Sequence, residues 1–225
     1  MEEIKILELK ESVFADNDAD AERLREHLRA RKTFLINLMS SPGSGKTSTL
    51  LSLAMEFEGK IRWAVMEADI DSVVDAQTMQ NAGVESIQLH TGGMCHLDAD
   101  MTRQGLEQLD IKNLDMVILE NVGNLVCPAE FDTGAALNMT ILSVPEGHDK
   151  PLKYPLMYQT CDLLVVNKID VEPYFDFDRQ KLEEYARIRN PFIDIIYVSA
   201  KTGEGISELA QWILARADQW NGKSR

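Results

Sequence analysis

The sequence predicts an α/β fold: a mostly parallel central sheet flanked by helices on both faces. Two observations carry this. Short apolar runs with few polar interruptions recur along the chain, as strands covered on both faces require. These runs alternate with helical segments, the pattern of right-handed βαβ crossovers. The chain has 225 residues, 44% hydrophobic and 27% charged, enough for one domain with a large core and no disulfide staples. Nothing in it reads as a repeat, a low-complexity tract or a linker.

In order, residues 1–17 are polar and acidic apart from Ile4, Ile6, Leu7 and Leu9, and read as a loosely docked arm. From Asp18 to about Lys32 a helix is expected, N-capped by Asp18 or Asp20, with Ala21, Leu24 and Leu28 on one face. Residues 1–32 thus form an arm and covering helix, and 33–225 the main domain. Strands are expected at Phe34 to Met39, Ile61 to Met66, Glu85 to His90, Met116 to Leu119, Met139 to Val144, Leu163 to Val166 and Ile193 to Val198. Helices are expected from Lys46, over about 72–81, near 97–109, and from Ile206 to Trp220.

Charge narrows the function classes. Lys plus Arg total 23 against 37 Asp plus Glu, a net charge of −14. That excludes a general nucleic-acid binder and speaks against docking on an anionic membrane. It leaves nucleotide binding open, since a few backbone N–H groups and one Lys suffice for a triphosphate. Cys95, Cys127 and Cys161 are odd in number, so a reducing compartment is expected. Met1-Glu2-Glu3-Ile4-Lys5 lacks the character of a signal peptide. No apolar run approaches the roughly 20 residues of a membrane span. A cytoplasmic location follows as the expectation.

Ser40-Ser41-Pro42-Gly43-Ser44-Gly45-Lys46-Thr47 follows the first buried strand and opens a helix. In that context it reads as a phosphate-binding loop of a P-loop NTPase. Gly43 and Gly45 let the backbone curl, with Ser44, Lys46, Thr47 and Ser48 completing the cradle. Lys46 is the catalytic cation reaching the β- and γ-phosphates, and Thr47 a Mg²⁺ ligand. Ser40 replaces the usual first glycine, a mild departure in loop geometry.

Asn167-Lys168-Ile169-Asp170 follows another apolar strand and resembles the N-K-x-D element of GTPases. The Asp170 carboxylate can accept from guanine N1–H and the exocyclic amine, a pair adenine lacks. Ser199-Ala200-Lys201, also at a strand end, resembles the S-A-K element. Two such motifs in order after a phosphate loop point to GTP and GDP, bound at the carboxyl ends of the strands. Glu67-Ala68-Asp69 and Glu120-Asn121-Val122-Gly123 end two further strands. Asp69 is the candidate for orienting water. Asp69 and Glu120 are candidates for the Mg²⁺ shell, and Asp75 is more simply a helix-surface residue.

Cys95-His96 and Cys127 lie in loops at strand ends on the nucleotide side. Adjacent Cys and His make a poor closed zinc site but a workable open one, completed by a second chain or water; thiolate and imidazole suit Zn²⁺ and Ni²⁺. From spacing alone, loop residues without a metal remain equally open. Cys161 reads as a buried core thiol.

Taken together, Gly92-Gly93-Met94-Cys95-His96-Leu97-Asp98-Ala99, the stretch from Glu120 to Gly134, Asn167 to Asp170 and the segment from Ser199 to Gly205 resemble the hydrogenase nickel-incorporation GTPases, the HypB family. The resemblance spans about residues 33–217. It implies a GTP-hydrolysing, dimer-forming metallochaperone that loads nickel into [NiFe]-hydrogenase, with Cys95, His96 and Cys127 as nickel or zinc ligands near a subunit interface. It implies as partners a second copy, held more tightly with GTP, a companion maturation metallochaperone and the hydrogenase large subunit. Residues 1–32 contain no Cys and only His27, so a separate N-terminal nickel store is not expected. The rival reading is the urease nickel GTPase, whose metal motif sets a Pro between Cys and His. A further rival is a metal carrier whose nucleotide only locks a dimer.

Overall fold

The computed structural model describes residues 5–8, 17–69 and 74–223. Its centre is an eight-stranded sheet in which every pairing is parallel. The strands are β1 (Lys5–Glu8), β2 (Phe34–Ser40), β3 (Trp63–Asp69), β4 (Glu85–His90), β5 (Met116–Glu120), β6 (Leu137–Ser143), β7 (Leu163–Asn167) and β8 (Asp194–Tyr197). Their spatial order is β1-β4-β3-β5-β2-β6-β7-β8. All seven residues of β2 are buried, as befits a central strand covered on both faces.

The connecting helices are α1 (Asn17–Arg31), α2 (Lys46–Phe57), α3 (Val74–Asn81), α4 (Ala99–Leu106), α5 (Cys127–Glu130), α6 (Lys150–Lys153), α7 (Pro155–Gln159), α8 (Arg179–Arg189) and α9 (Ile206–Asn221). Side-chain alternation splits the core between the two faces of the sheet. Leu38, Val65 and Ile118 pack under α2 and α9 with Leu50, Leu53 and Ile213. Leu35, Ala64, Met66 and Val117 face α1 and α4 through Leu28 and Met101. A third cluster lies under α7 and α8 around Met157, Leu164 and Leu182. Polar side chains start two of these helices: Asp98 accepts from Met101 N at 2.8 Å and Asp178 from Lys181 N at 3.1 Å.

Three parts of the chain differ from the sequence expectation. The arm expected over 1–17 contains β1, which pairs with β4 at the sheet edge. Backbone hydrogen bonding supplies what its short apolar cluster did not announce. Helix α8, absent from the expected elements, buries only Leu182 and Ala186, too thin a stripe to stand out. The short helices α5, α6 and α7 each start with Pro at their first or second position, where proline is tolerated because its missing N–H would be unsatisfied anyway.

Because all strands run the same way, Ser40, Asp69, His90, Glu120, Ser143 and Asn167 all end on one edge of the sheet. No helix among the described residues is long and apolar enough to cross a membrane.

Candidate functional site

At that edge lies a cavity of about 600 Å³ lined by Gly43, Gly45, Lys46, Thr47, Ser48 and Lys168 on one side and by Glu67, Glu120, Asn121 and Gly123 on the other. Gly45 has φ +98° and precedes α2. A Cβ there would sit 2.5 Å from Asn167 Nδ2, so both backbone and space demand glycine. Ser44 stands apart from the lining: its side chain is fully buried, and it reaches the site through its carbonyl, which accepts from Asn167 Nδ2 at 3.0 Å.

Ser40 is not among the residues with positive φ, so this position does not require glycine's torsional freedom. Its hydroxyl accepts from Lys46 Nζ at 3.0 Å and donates to the Ser41 carbonyl at 2.8 Å. Lys46 Nζ also stands 3.8 Å from Glu120 Oε1. The lysine is thereby extended across the mouth of the loop between a hydroxyl and a buried carboxylate.

The Asn167 side chain joins three loops. Besides Ser44, its Oδ1 accepts from Lys168 N at 2.7 Å and Ala200 N at 3.1 Å. Lys168 adopts φ +65° and donates from Nζ to the Gly43 carbonyl at 2.7 Å. Asp170 accepts from Ser199 Oγ at 2.8 Å, and Lys201 Nζ lies 3.9 Å from its other oxygen. The turn after Ser199 closes so tightly that a Cβ on Gly205 would lie 2.1 Å from the Tyr197 carbonyl oxygen.

On the opposite flank, Asn121 is fixed by a buried amide ladder. It donates to Asn37 Oδ1, and Asn37 donates to Asn138 Oδ1, each at 3.0 Å. Gly123 faces Pro42 so closely that a Cβ would sit 3.1 Å from its ring. The segment after β5 is therefore seated on the phosphate loop. Asp69 ends β3 in register with His90; its side chain, like that of Asp75, lies outside the described residues. The carboxylates of Glu67 and Glu120 with the Thr47 hydroxyl give the cavity oxygen donors, a set that fits a hard cation such as Mg²⁺.

Cys95, His96 and Cys127, the expected metal ligands, lie outside the cavity lining. Cys95 Sγ lies 3.9 Å from His96 Nδ1. A hydrogen bond with the Cys127 thiol raises the Cys95 pKa above the ordinary thiol value, and partial burial and the Cys127 charge push it the same way. The two thiols thus adjoin although they are distant in sequence. His96 stacks on Phe131, ring centroids 3.6 Å apart. Soft sulfur and imidazole donors fit Ni²⁺ or Zn²⁺. Among the described residues no group of three or more His, Cys, Asp or Glu closes around one metal position. Cys161 stands apart, fully buried, its thiol pushed up to about 12 by desolvation.

Three further residues belong to this edge that the motif reading left unassigned. Glu146 accepts from Ser41 Oγ of the phosphate loop, and from Ser143 N and Oγ at 2.8 Å each. The Ser-x-x-Glu spacing of Ser143 and Glu146 is a capping-box signature and could have revealed it. Glu67 lines the cavity although only Asp69 of its motif was singled out. Asn121 stands in the Glu120 to Gly123 element, but its tether through Asn37 and Asn138 carries no short-range signal.

Residues 34–196 match the CobW/HypB/UreG nucleotide-binding domain. Over 213 residues the chain is 43% identical to the hydrogenase maturation factor HypB of Escherichia coli, covering 95% of this chain and 73% of that one. The chain belongs to the HypB family of hydrogenase maturation factors. The HypB of Azotobacter vinelandii is 46% identical over 210 residues, covering 93% of this chain and 69% of that protein. The fold agrees with HypB structures. The crystal structure of HypB from Helicobacter pylori in complex with nickel superposes with a TM-score of 0.86 at 35% identity, covering 93% of this chain and 98% of the other. HypB from Archaeoglobus fulgidus gives 0.83 at 32% identity, covering 91% and 100%.

Proposed function

We propose that this HypB-family chain hydrolyses GTP to GDP and phosphate and uses that cycle to deliver nickel during hydrogenase maturation. Residues 33–225 carry the nucleotide- and metal-binding residues, while β1 extends the edge of the sheet and α1 covers one of its faces. The observation that carries the reading is the side-chain bridge of Asn167 between the phosphate loop and the Ala200 loop. It brings the Lys168 and Asp170 segment against the loop that holds Lys46 and Thr47.

In this reading guanine is held by Asp170, with the Ala200 loop backing the base and Lys168 along its plane. The cradle of Gly43 to Ser48 holds the phosphates by its backbone N–H groups and the positive end of α2. Lys46 leaves Ser40 to neutralise charge on the transferring phosphoryl group. Thr47, Asp69 and Glu120 would hold Mg²⁺, which supplies charge neutralisation at the β- and γ-oxygens. Asp69 orients the attacking water.

Nickel is cargo, with zinc as the competing ion, held by Cys95, His96 and Cys127 and completed by the same residues of a second copy. The segment after Glu120 reaches Cys127 within a few residues, so a rearrangement there on phosphate loss moves one metal ligand. GTP thus favours the dimer, and hydrolysis releases nickel toward a companion metallochaperone and the hydrogenase large subunit. Linkage requires that nucleotide state and nickel affinity change each other by one common factor, typically about 1–3 kcal/mol. Nickel titrations of the GDP-bound and non-hydrolysable-analogue-bound protein, with nucleotide titrations ± nickel, test this. Equal nickel affinity in both forms refutes the coupling, and equal ATP and GTP affinity refutes the base assignment.

A further inference from the structure

Gln88 is fully buried in β4, and neither its Nε2 nor its Oε1 has a hydrogen-bond partner among the described residues. The sheet face it shares is packed with Val65, Met79 and Val84. A buried amide with both ends unmade is destabilising, whereas an apolar side chain of equal length would cost nothing there. Such a group calls for a partner that is engaged in another state of the protein.

The strand register names that partner. Gln88 is opposite Glu67 on β3, and Glu67 is opposite Glu120 on β5. Register partners in a sheet project to one face. Amide, carboxylate and carboxylate therefore form a row across three strands at one height, and the two carboxylates line the phosphate cavity. Glu120 has Lys46 Nζ at 3.8 Å. Glu67 has like charge beside it on the β5 side and the Gln88 amide on the β4 side.

We propose that Gln88 is a positioning residue for phosphoryl transfer: with Mg·GTP in the cavity its amide donates to Glu67 and holds that carboxylate toward the water that Asp69 orients at the γ-phosphate. This rests on the GTPase reading. The amide that has no partner in this structure becomes a made one in the triphosphate form, so the same side chain costs stability and raises turnover, a known form of stability–activity trade-off.

The test compares the parent chain with Gln88→Met, Gln88→Leu, Glu67→Gln and the Gln88→Met/Glu67→Gln double variant. Gln88→Met matches the glutamine in length and repacks least; Gln88→Leu repeats the measurement with a different shape. Without nucleotide, Gln88→Met should melt at a higher temperature than the parent. Its further gain from Mg²⁺ plus a non-hydrolysable GTP analogue should be smaller than the parent's, and its gain from GDP unchanged. Its kcat should fall about 10- to 100-fold, the range for a misplaced catalytic group, with KM within about twofold. The double variant should turn over at the rate of Glu67→Gln alone. Unchanged kcat, or losses that multiply in the double variant, would make Gln88 a packing residue only and overturn the proposal. A parent that binds guanine nucleotides without hydrolysing them overturns the GTPase reading instead. The analogue-dependent melting shift then decides Gln88 by itself: an equal shift in Gln88→Met and parent rejects it.

Discussion

On the base side of the site, one fully made amide, Asn167, ties the Ser44, Lys168 and Ala200 backbones together within 3.1 Å. On the metal side, Cys95 comes from the loop before α4 and Cys127 from the start of α5, and Cys95 Sγ reaches His96 only at 3.9 Å. The base side is cross-linked by hydrogen bonds within the protein itself. The metal side brings the two thiols together without such a network. The difference follows the task proposed for each. Guanine is the same in GTP and GDP, so a pre-formed pocket loses nothing, and preorganisation strengthens binding. A cargo metal has to leave, which a closed and rigid shell would oppose.

The comparison breaks or sharpens in a graded way. The largest effect is expected from Lys46→Ala, which removes the cation held between Ser40 and Glu120. Hydrolysis should drop by about 10²-fold or more, read by phosphate release, while nickel binding to the nucleotide-free protein stays intact. Parallel loss of both would mean the two sides are not separable. Next, Asp170→Asn should weaken GTP by about 2–4 kcal/mol and favour xanthosine triphosphate, whose base edge suits an amide. Calorimetry with both nucleotides reads the switch, and an unaltered preference would remove Asp170 from the base pocket.

A smaller effect is expected on the metal side. Cys127→Ala takes away the contact that contributes most to raising the Cys95 pKa. Cys95 should then alkylate at lower pH than in the parent, while nickel affinity falls at least about tenfold, as a charge-bearing ligand is lost. An alkylation profile that does not move would mean the two thiols do not communicate. The smallest effect, and a control remote from both sides, concerns Asp115. Burial alone would raise its pKa, but hydrogen bonds from Arg62 and Lys223 outweigh that and hold it at about 2. A folded pKa below the unfolded value of about 3.9 stabilises the fold above that pH, and the gain fades as pH falls toward 2. Asp115→Asn should therefore cost about 1 kcal/mol near neutral pH, less as pH falls through about 2 and nothing well below it, with GTP and nickel binding unaltered. A pH-independent loss would reject the assignment to this carboxylate.

How much of this was legible in the sequence follows the range of each signal. The sheet, its parallel sense and the two nucleotide motifs are written in contiguous residues: buried strands as apolar runs with few polar interruptions, and the loops as Gly45-Lys46-Thr47 and Asn167 to Asp170. Helix α8 escaped because its face is mostly solvated, with Ile188 60% exposed. Strand β1 escaped because edge pairing needs backbone partners more than side-chain pattern. The apposition of Cys95 and Cys127 came through the family resemblance, since spacing alone left the metal open. Gln88 and the Asn37, Asn121 and Asn138 ladder were silent because their meaning lies in strand register across distant segments.

The strand order also dictates when the site can exist during synthesis. The phosphate loop follows β2 and is made before β5 and β6, yet among the described residues β2 pairs with those two strands alone. Phe34 waits for Met116, and Ser40 for Ile141. At roughly 5–20 residues per second, a gap of ~100 residues is a delay of several seconds. The Ala200 loop that Asn167 ties down emerges later still. The glycine-rich segment is thus translated well before the strands and the Ala200 loop that seat it, so in the proposed reading nucleotide cannot rescue the nascent chain until that loop has been made. Ribosome-arrested chains ending before residue 140 should show no GTP-dependent protease resistance, and arrest beyond the last helix with a linker should restore it.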